Sequence, residues 1–447
     1  MEKIEICTIG GYCEVGKNMT AIKYGEEVII CDMGFYLPKI IAFEEEGGNR
    51  ETLTREELIQ IDAIPDDSVI RPWFNKVKAI VCTHCHLDHI GAVPYMASDF
   101  NCPIIGTPFT IEVLKRILDD EDIRLPNKLR ILNPNSSFKI SKNITIEFLN
   151  MTHSTPQTVM IVIHTPRGAI VYANDFKFDN HPVIGRKPNY QRLKELGKEG
   201  AFALIADSLY AGKNMKTPSE KVAREMLKDV MLGTESKNQL VVVTTFASHI
   251  ARLKSVIDFG KKMHRKIVFI GRSLDKYVTA AEAVNIVKFR KDIELIGSGS
   301  RANKKLKEIS KNRGKYLLVC TGNQGEPRAT LTKMTMGEFK DFKFEPNDQV
   351  IFSCKTIPAP INQANRALIE DKLMKKGVRI FKDIHTSGHA SREDHRDLLN
   401  MLKPKHLIPA HGDVTKLSPM ADLGCSIGYV LGKTAHILRD GQIIELS

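Results

Sequence analysis

Short hydrophobic runs separated by polar turns predict buried strands through the first half of the chain. These runs lie at residues 28–31, 77–82, 144–149, 169–172 and 202–205. An amphipathic stretch at residues 110–119 predicts a helix. The glycine-rich residues 10–18 predict a hairpin turn. Residues 36–72 read as loop and helix with mixed charge, and their pattern predicts no function.

After residue 208, strands and helices alternate regularly. The predicted strands are 240–243, 266–270, 316–320, 349–354 and 378–384, and the predicted helices are 249–263, 275–287 and 362–376. Such alternation predicts a parallel sheet covered by helices. A capping box from Thr217 to Glu220, with Pro218 at the first helical position, predicts the start of the first helix. Later residues predict a helix at 393–402, a strand at 406–409 and a hairpin around Gly441.

The chain has 447 residues, of which 42% are hydrophobic and 26% are charged, which allows two or three domains with their own cores. Its hydrophobic runs are shorter than a membrane span and its start lacks the pattern of a secretion signal, so we expect a soluble, cytoplasmic protein. The nine cysteines are scattered, as reduced, buried thiols are. Cys82 and Cys85 are interpreted as packing residues.

The net charge of +12 is concentrated in one segment. Residues 211–380 contain 34 Lys and Arg against 17 Asp and Glu, a net charge of +17, so the rest of the chain carries a net charge of −5. This asymmetry predicts a polyanionic partner. The alternative is a lysine-rich surface that only keeps the protein in solution. The densest basic cluster, at residues 301–313, is open to both explanations.

Four candidate metal ligands follow the predicted strand 77–82: His84, His86, Asp88 and His89. In an extended chain, residues two apart point the same way, so His84 and His86 can reach one metal ion. Asp88 and His89 follow after a bend and can reach a second ion. Imidazoles with a carboxylate suit zinc, although the oxygen ligand also allows manganese or iron. A cluster of surface histidines is the alternative interpretation.

Other ligand-type side chains come directly after predicted strands: Asp32, His153, Asp175 and Asp207. The Asp32 carboxylate is placed to orient a metal-bound histidine. Any one of these residues could be an ordinary turn residue. Their repetition after the histidine cluster predicts a site with two metal ions.

The H-x-H-x-D-H pattern of residues 84–89 resembles the metallo-β-lactamase superfamily, and Asp32, His153 and Asp175 occur in that superfamily's order. The α/β insertion after residue 207, followed by two further histidines, is similar to the β-CASP nucleases. Motifs across the chain look most like the ribonuclease J family: residues 10–18, 174–179, 245–248, 271–273, 321–327 and 385–390. The resemblance implies an α/β fold, in which a metallo-β-lactamase αββα sandwich carries an inserted parallel α/β β-CASP domain.

The resemblance also implies how the domains are divided. Residues 1–208 and 385–447 would form the metallo-β-lactamase domain, and residues 209–384 would form a basic, RNA-binding β-CASP domain. The chain ends at Ser447, where bacterial members of the family carry a further domain, so it looks like the short archaeal form. The resemblance implies a homo-oligomer, a dimer, but the contacts of the longer forms cannot be carried over.

Position by position, the resemblance implies two zinc ions per subunit. The first would be held by His84, His86 and His153, and the second by Asp88, His89 and His411, with Asp175 bridging the two. Paired metals of this kind generate a nucleophile and stabilise the charge of a phosphodiester under attack. Asp88 therefore also counts as a catalytic residue.

His389, positioned by Asp207, matches a motif pair of the family and is the candidate general acid for the leaving 3′-oxygen. A structural histidine in a glycine-containing turn is the alternative. The family's pocket for a terminal 5′-phosphate would be formed here by Ser353, His385, Thr386, Ser387, Gly388 and His389. If this pocket lies one nucleotide from the metals, the enzyme removes mononucleotides from 5′-monophosphorylated, single-stranded RNA, in RNA decay and processing.

Three alternatives stay open at this point. A β-CASP endonuclease would use the same metals to cut RNA internally. A small-molecule hydrolase of the lactamase superfamily would not need the long basic insertion, and an inactive RNA-binding scaffold would not need the full ligand set. Single-stranded DNA is an additional candidate substrate.

Overall fold

The computed structural model describes residues 2–447, apart from the side chain of Glu51. The strands in chain order are β1 (Ile4–Gly10), β2 (Met19–Tyr24), β3 (Glu27–Cys31), β4 (Val77–Val81), β5 (Ile104–Gly106), β6 (Leu129–Ile131), β7 (Ser136–Lys139), β8 (Thr145–Asn150), β9 (Val159–Thr165), β10 (Gly168–Ala173), β11 (Ala201–Asp207), β12 (Val241–Thr244), β13 (Lys266–Ile270), β14 (Ile293–Ile296), β15 (Tyr316–Cys320), β16 (Gln349–Phe352), β17 (Arg379–Phe381), β18 (His406–Ala410) and β19 (Gln442–Leu446). The helices are α1 (Leu37–Glu45), α2 (Arg55–Gln60), α3 (Leu87–Ile90), α4 (Val93–Met96), α5 (Pro108–Asp120), α6 (Tyr190–Glu199), α7 (Glu220–Gly233), α8 (Ile250–Lys262), α9 (Arg272–Ala283), α10 (Ser300–Lys311), α11 (Thr330–Met336), α12 (Pro360–Lys375), α13 (Arg392–Leu402) and α14 (Val414–Ser426).

The chain divides into two compact units. The first unit comprises the described residues up to Asn180, together with Arg186–Thr217 and Ser387–Ser447. The second comprises His181–Gly185 and Pro218–Thr386. The predicted division of function between residues 1–208, 209–384 and 385–447 stays a prediction.

The first unit is built from two sheets that pack face to face. One sheet has the strand order β19-β1-β2-β3-β4-β5-β6 and the other β18-β11-β10-β9-β8-β7. They share one core, to which Ile22 and Ile29 contribute from the first sheet and Ile161 and Ile170 from the second. The other face of the second sheet packs on α6, α13 and α14, and α5 contacts the first sheet. This layering confirms the predicted αββα sandwich.

The second unit contains a sheet of six parallel strands in the order β14-β13-β15-β12-β16-β17. Val242 and Leu318 from the sheet share a core with Leu306 and Ile369 from the helices α10 and α12. Strands buried on both faces explain why the sequence shows continuous hydrophobic runs here instead of alternation. The predicted parallel α/β arrangement is confirmed.

Some predicted elements of the second unit have different ends. The helix expected at 275–287 is α9, which begins at Arg272 and ends at Ala283. The strand expected at 378–384 ends at Phe381, and Asp383 has a left-handed backbone with φ of 58°. This conformation is incompatible with an extended strand, so the chain turns before residue 384.

The predicted capping box at Thr217 is wrong. Helix α7 begins at Glu220, and its N-cap is Ser219, whose hydroxyl accepts a hydrogen bond from Lys221 N. The Thr217 hydroxyl instead donates to His389 O at 2.8 Å, within the first unit. A tertiary partner has therefore replaced the local capping contact that the sequence pattern predicted.

The predicted hairpin around Gly441 is also wrong. Strand β19 pairs antiparallel with β1, from Ile4 opposite Leu446 to Thr8 opposite Gln442. The C-terminal strand thus covers the edge of the first sheet that β1 would otherwise leave unpaired.

Part of the basic cluster at residues 301–313 is neutralised within the second unit. Lys305 Nζ lies 2.8 Å from Glu294 Oε2. Lys307 Nζ lies 3.1 Å from Asp341 Oδ2, and Arg313 Nη1 lies 2.5 Å from Asp348 Oδ2. These ion pairs lower the charge that the cluster can offer to a polyanion.

Among residues 2–447, no helix combines the length and the apolar character that crossing a bilayer requires. All nine cysteines lie within this range and are thiols, not disulfides. Cys82 and Cys85 are fully buried, which confirms that they are packing residues.

Candidate metal centre

The candidate metal ligands lie at one edge of each sheet of the first unit. In the first sheet, β3 and β4 run parallel, and Asp32 and His84 follow their ends. In the second sheet, β10, β11 and β18 run parallel, and Asp175 and His411 follow β10 and β18. Strand β8 is antiparallel to β9, and β9 is antiparallel to β10, so His153 follows β8 at the same edge. Strand direction therefore explains why residues far apart in the sequence converge.

His84, His86, His153 and Asp175 form the first group of candidate ligands, with ligand atoms within 4.8 Å of one another. His86 Nδ1 lies 3.0 Å from His84 Nε2 and 3.3 Å from His153 Nε2. Asp175 Oδ2 lies 3.6 Å from His84 Nε2 and 3.5 Å from His153 Nε2. Three imidazoles and one carboxylate oxygen can hold a single divalent ion.

Asp88, His89 and His411 form the second group, also within 4.8 Å. His89 Nε2 lies 3.6 Å from Asp88 Oδ2 and 3.3 Å from Asp175 Oδ2. His411 Nε2 lies 3.6 Å from Asp175 Oδ1. This Asp175 oxygen is buried and has no hydrogen-bond partner among the described residues. A carboxylate that contacts both groups, with one buried oxygen lacking a donor, fits a ligand that bridges two ions.

Burial favours the neutral form of the histidines in the first group. Burial holds the pKa values of His84 and His153 well below the ordinary value and lowers that of His86 to about 4. Burial alone would raise the pKa of Asp175, but the neighbouring imidazoles, above all His411, hold it well below the ordinary value. Neutral imidazoles and an ionised carboxylate are the forms that bind a metal. The donor set therefore fits a pair of divalent ions such as zinc.

Asp32 makes the contact that the sequence predicted. Its Oδ2 accepts a hydrogen bond from His89 Nδ1 at 2.8 Å, and its Oδ1 accepts one from Thr83 N at 2.8 Å. Asp32 is fully buried, so the contact is shielded from water. Because Nδ1 of His89 points to Asp32, Nε2 is the nitrogen that faces the ligand group. Burial lowers the pKa of His89, but the charges of Asp175, Asp88 and Asp32 hold it well above the ordinary value, so a metal ion would displace a proton from Nε2.

Asn18 belongs to the site, although its sequence pattern predicts no individual role. Its Oδ1 accepts from His411 Nδ1 at 3.0 Å, and its Nδ2 donates to Asp88 O at 3.0 Å. Asn18 thus orients one candidate ligand and holds the backbone of another. The available sequence signal is its place at the end of the glycine-rich loop 10–18, directly before β2. The close approach of Asp88 also requires Gly34, where a Cβ would lie 1.7 Å from Asp88 O.

Three residues of the site have left-handed backbone conformations. The φ angles are 60° for Asp32, 52° for Asp175 and 61° for His411. Residues with a side chain rarely adopt this conformation, and such strain concentrates at functional sites. Each of the three lies within two residues of the end of a strand.

His389 lies beside the candidate ligands. Its Nδ1 donates to Asp207 Oδ2 at 2.9 Å, and its Nε2 lies 3.9 Å from Asp175 Oδ2. Burial lowers the pKa of His389, but the charges of Asp175 and Asp207 raise it to about 9. The ligand atoms of Asp175, His389 and His411 also lie within 4.8 Å of one another. His389 is therefore placed to donate a proton, and its ligand atom is also close enough to those of Asp175 and His411 to bind a metal ion with them. An experiment can separate these two roles.

The predicted phosphate-binding residues fall in both units. Ser387, Gly388 and His389 belong to the first unit, where Gly388 O accepts a hydrogen bond from His153 Nδ1 at 2.7 Å. His389 N donates to Ser387 Oγ at 3.0 Å. This loop is thus attached directly to a candidate metal ligand.

Ser353, His385 and Thr386 belong to the second unit. Ser353 is fully buried, and its hydroxyl donates to Ile384 O at 2.9 Å. Its single hydrogen is therefore already used inside the protein, which the sequence did not predict. The Thr386 hydroxyl is buried, and no hydrogen-bond partner for it lies among the described residues.

For the RNA cleavage that the resemblance in the sequence implies, Gly388→Ala is expected to lower the rate by about 10²-fold, because a displacement of about 1 Å at a reacting site has this effect. A Cβ at Gly388 would lie 2.7 Å from His153 Cε1, so either the loop or the imidazole must move. Initial cleavage rates on labelled RNA would measure the loss. Gly233→Ala is the matched control, because a Cβ there meets no atom within 4 Å. Equal activity of the two variants would contradict the close contact.

Three family profiles match successive parts of the chain. Residues 58–188 match the profile described as "Beta-lactamase superfamily domain". Residues 238–371 match "Ribonuclease J, beta-CASP domain". Residues 378–428 match "Zn-dependent metallo-hydrolase RNA specificity domain". The first two matches follow the order that the resemblance in the sequence implied.

Similar proteins cover nearly the whole chain. The chain is 45% identical to Ribonuclease J of Methanocaldococcus jannaschii over 99% of both chains. It is 46% identical to Ribonuclease J of Pyrococcus abyssi over 99% of this chain and 97% of the relative. A crystal structure of a protein of unknown function from Enterococcus faecalis V583 has the same fold, with a TM-score of 0.67 and 16% identity over 99% of this chain and 100% of that one.

Proposed function

Because the chain belongs to the ribonuclease J family of metal-dependent ribonucleases, we propose that it degrades single-stranded RNA from the 5′ end toward the 3′ end. In this proposal it prefers 5′-monophosphate ends and uses two zinc ions per subunit. His84, His86 and His153 would hold one ion, Asp88, His89 and His411 would hold the other, and Asp175 would bridge them.

One observation carries the proposal for the 5′ end. The loop 387–389 is attached to the candidate metal centre through the hydrogen bond from His153 Nδ1 to Gly388 O, and it ends in His389 beside Asp175. A terminal phosphate held by this loop would lie within about one nucleotide of the candidate ligands. Cleavage at that distance releases mononucleotides, so the direction of degradation follows from where the end of the RNA is held.

Bound zinc would activate the attacking water and neutralise negative charge on the phosphodiester. The residues of the chain supply the remaining functions. Asp207 holds His389 by Nδ1, so Nε2 faces the candidate ligands and can donate a proton to the leaving 3′-oxygen. Asp32 and Asn18 keep His89 and His411 in orientation through their Nδ1 atoms.

The second unit is proposed to bind the RNA backbone. The net charge of +17 over residues 211–380 supports this role, since phosphates of a single strand are bound mainly through charge and stacking. Part of the 301–313 cluster is engaged in ion pairs with Glu294, Asp341 and Asp348. The contact with RNA is therefore assigned to the unit as a whole and not to this cluster.

The test uses 3′-labelled single-stranded RNA with a 5′-monophosphate, a 5′-triphosphate or a 5′-hydroxyl, incubated with the purified protein and with His84→Ala. The proposal expects only the 3′-terminal remnant to accumulate, fastest from the monophosphate and absent with the variant. Discrete internal fragments that form at the same rate from all three RNAs would overturn it and favour an endonuclease.

A further inference from the structure

Arg252 is a fully buried arginine in helix α8 of the second unit. Its Nε and Nη2 donate to the two carboxylate oxygens of Glu220, at 2.6 and 2.8 Å. A guanidinium that pairs with a carboxylate through two parallel hydrogen bonds has a fixed orientation. The remaining nitrogen, Nη1, is therefore held in one direction.

Arg252 Nη1 contacts two segments that come from neighbouring strands. It donates to Ser353 O and Ser353 Oγ, both at 2.8 Å, and to Ile384 O at 3.0 Å. Ser353 follows β16, and Ile384 follows β17. The Ser353 hydroxyl donates a hydrogen bond to Ile384 O at 2.9 Å, which links the same two segments a second time.

Ile384 immediately precedes the segment 385–389. Asp383, one residue earlier, has a left-handed backbone, so hydrogen bonding in the sheet does not fix the direction of the chain beyond β17. The carbonyl of Ile384 is instead held by Arg252 and Ser353. Buried, charge-assisted hydrogen bonds of this kind are among the strong ones in proteins.

We propose that Arg252 is a positioning residue for the segment 385–389, and that the Ser353 hydroxyl acts through its bond to Ile384 and does not bind the 5′-phosphate itself. This inference rests on the proposed function, which places the terminal phosphate on residues 387–389 of this segment. Arg252 and Glu220 then determine the preference for the 5′ end from outside the pocket, without touching the RNA.

The experiment compares Arg252→Lys and Ser353→Ala with the wild-type protein by two measurements. Lysine keeps a positive charge near Glu220 but lacks the planar fork that reaches Ser353 and Ile384 at the same time. The first measurement is hydrogen–deuterium exchange of the peptide 384–390. The second is the ratio of kcat/KM for RNA with a 5′-monophosphate to that for RNA with a 5′-hydroxyl. Thermal unfolding and bound metal are recorded for each variant.

Both variants are expected to speed the exchange of peptide 384–390 about tenfold and to lower the ratio about tenfold, with bound metal unchanged, as the loss of a buried charge-assisted hydrogen bond predicts. Arg224→Lys is the matched control. Arg224 Nη1 also contacts a serine and a carboxylate, Ser255 Oγ at 3.1 Å and Asp258 Oδ2 at 2.9 Å. Both partners lie in α8 and not in the segments that contain Ser353 and Ile384. Exchange of the peptide 384–390 and the ratio of kcat/KM values should therefore stay at wild-type values.

If the peptide 384–390 exchanged at the wild-type rate in Arg252→Lys, the positioning role would be overturned. An equal fall in kcat/KM for both RNAs would also overturn it, because a general loss of structure has that effect. If Ser353→Ala lowered the ratio of kcat/KM values while the peptide 384–390 exchanged at the wild-type rate, the hydroxyl would bind the phosphate directly. If the wild-type protein showed no preference for the 5′ end, the proposed function would fail, and the exchange measurement alone would decide the role of Arg252.

Discussion

Asp175→Asn is expected to lower RNA cleavage by at least about a thousandfold, because metal ions supply several kcal/mol of stabilisation to the transition state of such reactions. Asp175 Oδ2 lies within 3.6 Å of His84 and His89, and Oδ1 lies 3.6 Å from His411. Asparagine keeps the shape of the side chain but removes its negative charge and replaces one oxygen by a donor. Both groups of candidate ligands should therefore bind divalent metal more weakly.

The measurement combines cleavage rates on labelled RNA with the metal content of the purified variant by elemental analysis. Asp371→Asn is the control, since this half-exposed carboxylate in α12 pairs with Lys375 at 2.6 Å. The control should cleave RNA and bind metal as the wild-type protein does. If Asp175→Asn kept full activity and the metal content of the wild-type protein, Asp175 would not be a bridging ligand.

His389→Ala is expected to lower RNA cleavage by about 10²- to 10⁴-fold, the range that a general acid contributes. The leaving 3′-oxygen of RNA is a poor leaving group without a proton, and His389 Nε2 faces the site while Asp207 holds Nδ1. The metal content should stay at the wild-type value, because this role requires no bond from His389 to a metal.

Bis(4-nitrophenyl) phosphate is the control substrate for this variant, since nitrophenolate leaves without a proton. His389→Ala should hydrolyse it almost as well as the wild-type protein does. Loss of bound metal together with loss of activity on both substrates would instead identify His389 as a ligand. The distance of its ligand atom from those of Asp175 and His411 allows this outcome.

The candidate site was predictable to the extent that it depends on strand geometry. Residues two apart in an extended segment point the same way, which placed His84 and His86 together from the sequence. Ligand-type residues at the ends of strands are a local pattern as well, and Asp32, His153 and Asp175 were found by it. The structure brings these residues to one place, and within each sheet the strands that precede them run in the same direction.

Other features depend on contacts between distant segments, which no local pattern contains. Thr217 matched a capping box but donates to His389 O, so a tertiary contact outweighed the local preference. Ser353 was assigned to the phosphate pocket by the resemblance to the family, which did not imply the hydrogen bond from its hydroxyl to Ile384 O. Strand β19 was expected in a hairpin and instead pairs with β1 at the other end of the chain.

The sequence by itself determined the α/β class, the parallel sheet of the second unit and most candidate ligands, because hydrophobic periodicity and ligand spacing are local properties of the chain. The ligand role of His411 was implied only by the resemblance to the family. Only the tertiary structure decided which nitrogen of each histidine faces the ligand groups, since Asp32 and Asn18 select it by hydrogen bonds to His89 and His411. It also decided that Arg252 holds Ile384, because a buried guanidinium needs partners that the fold alone brings together.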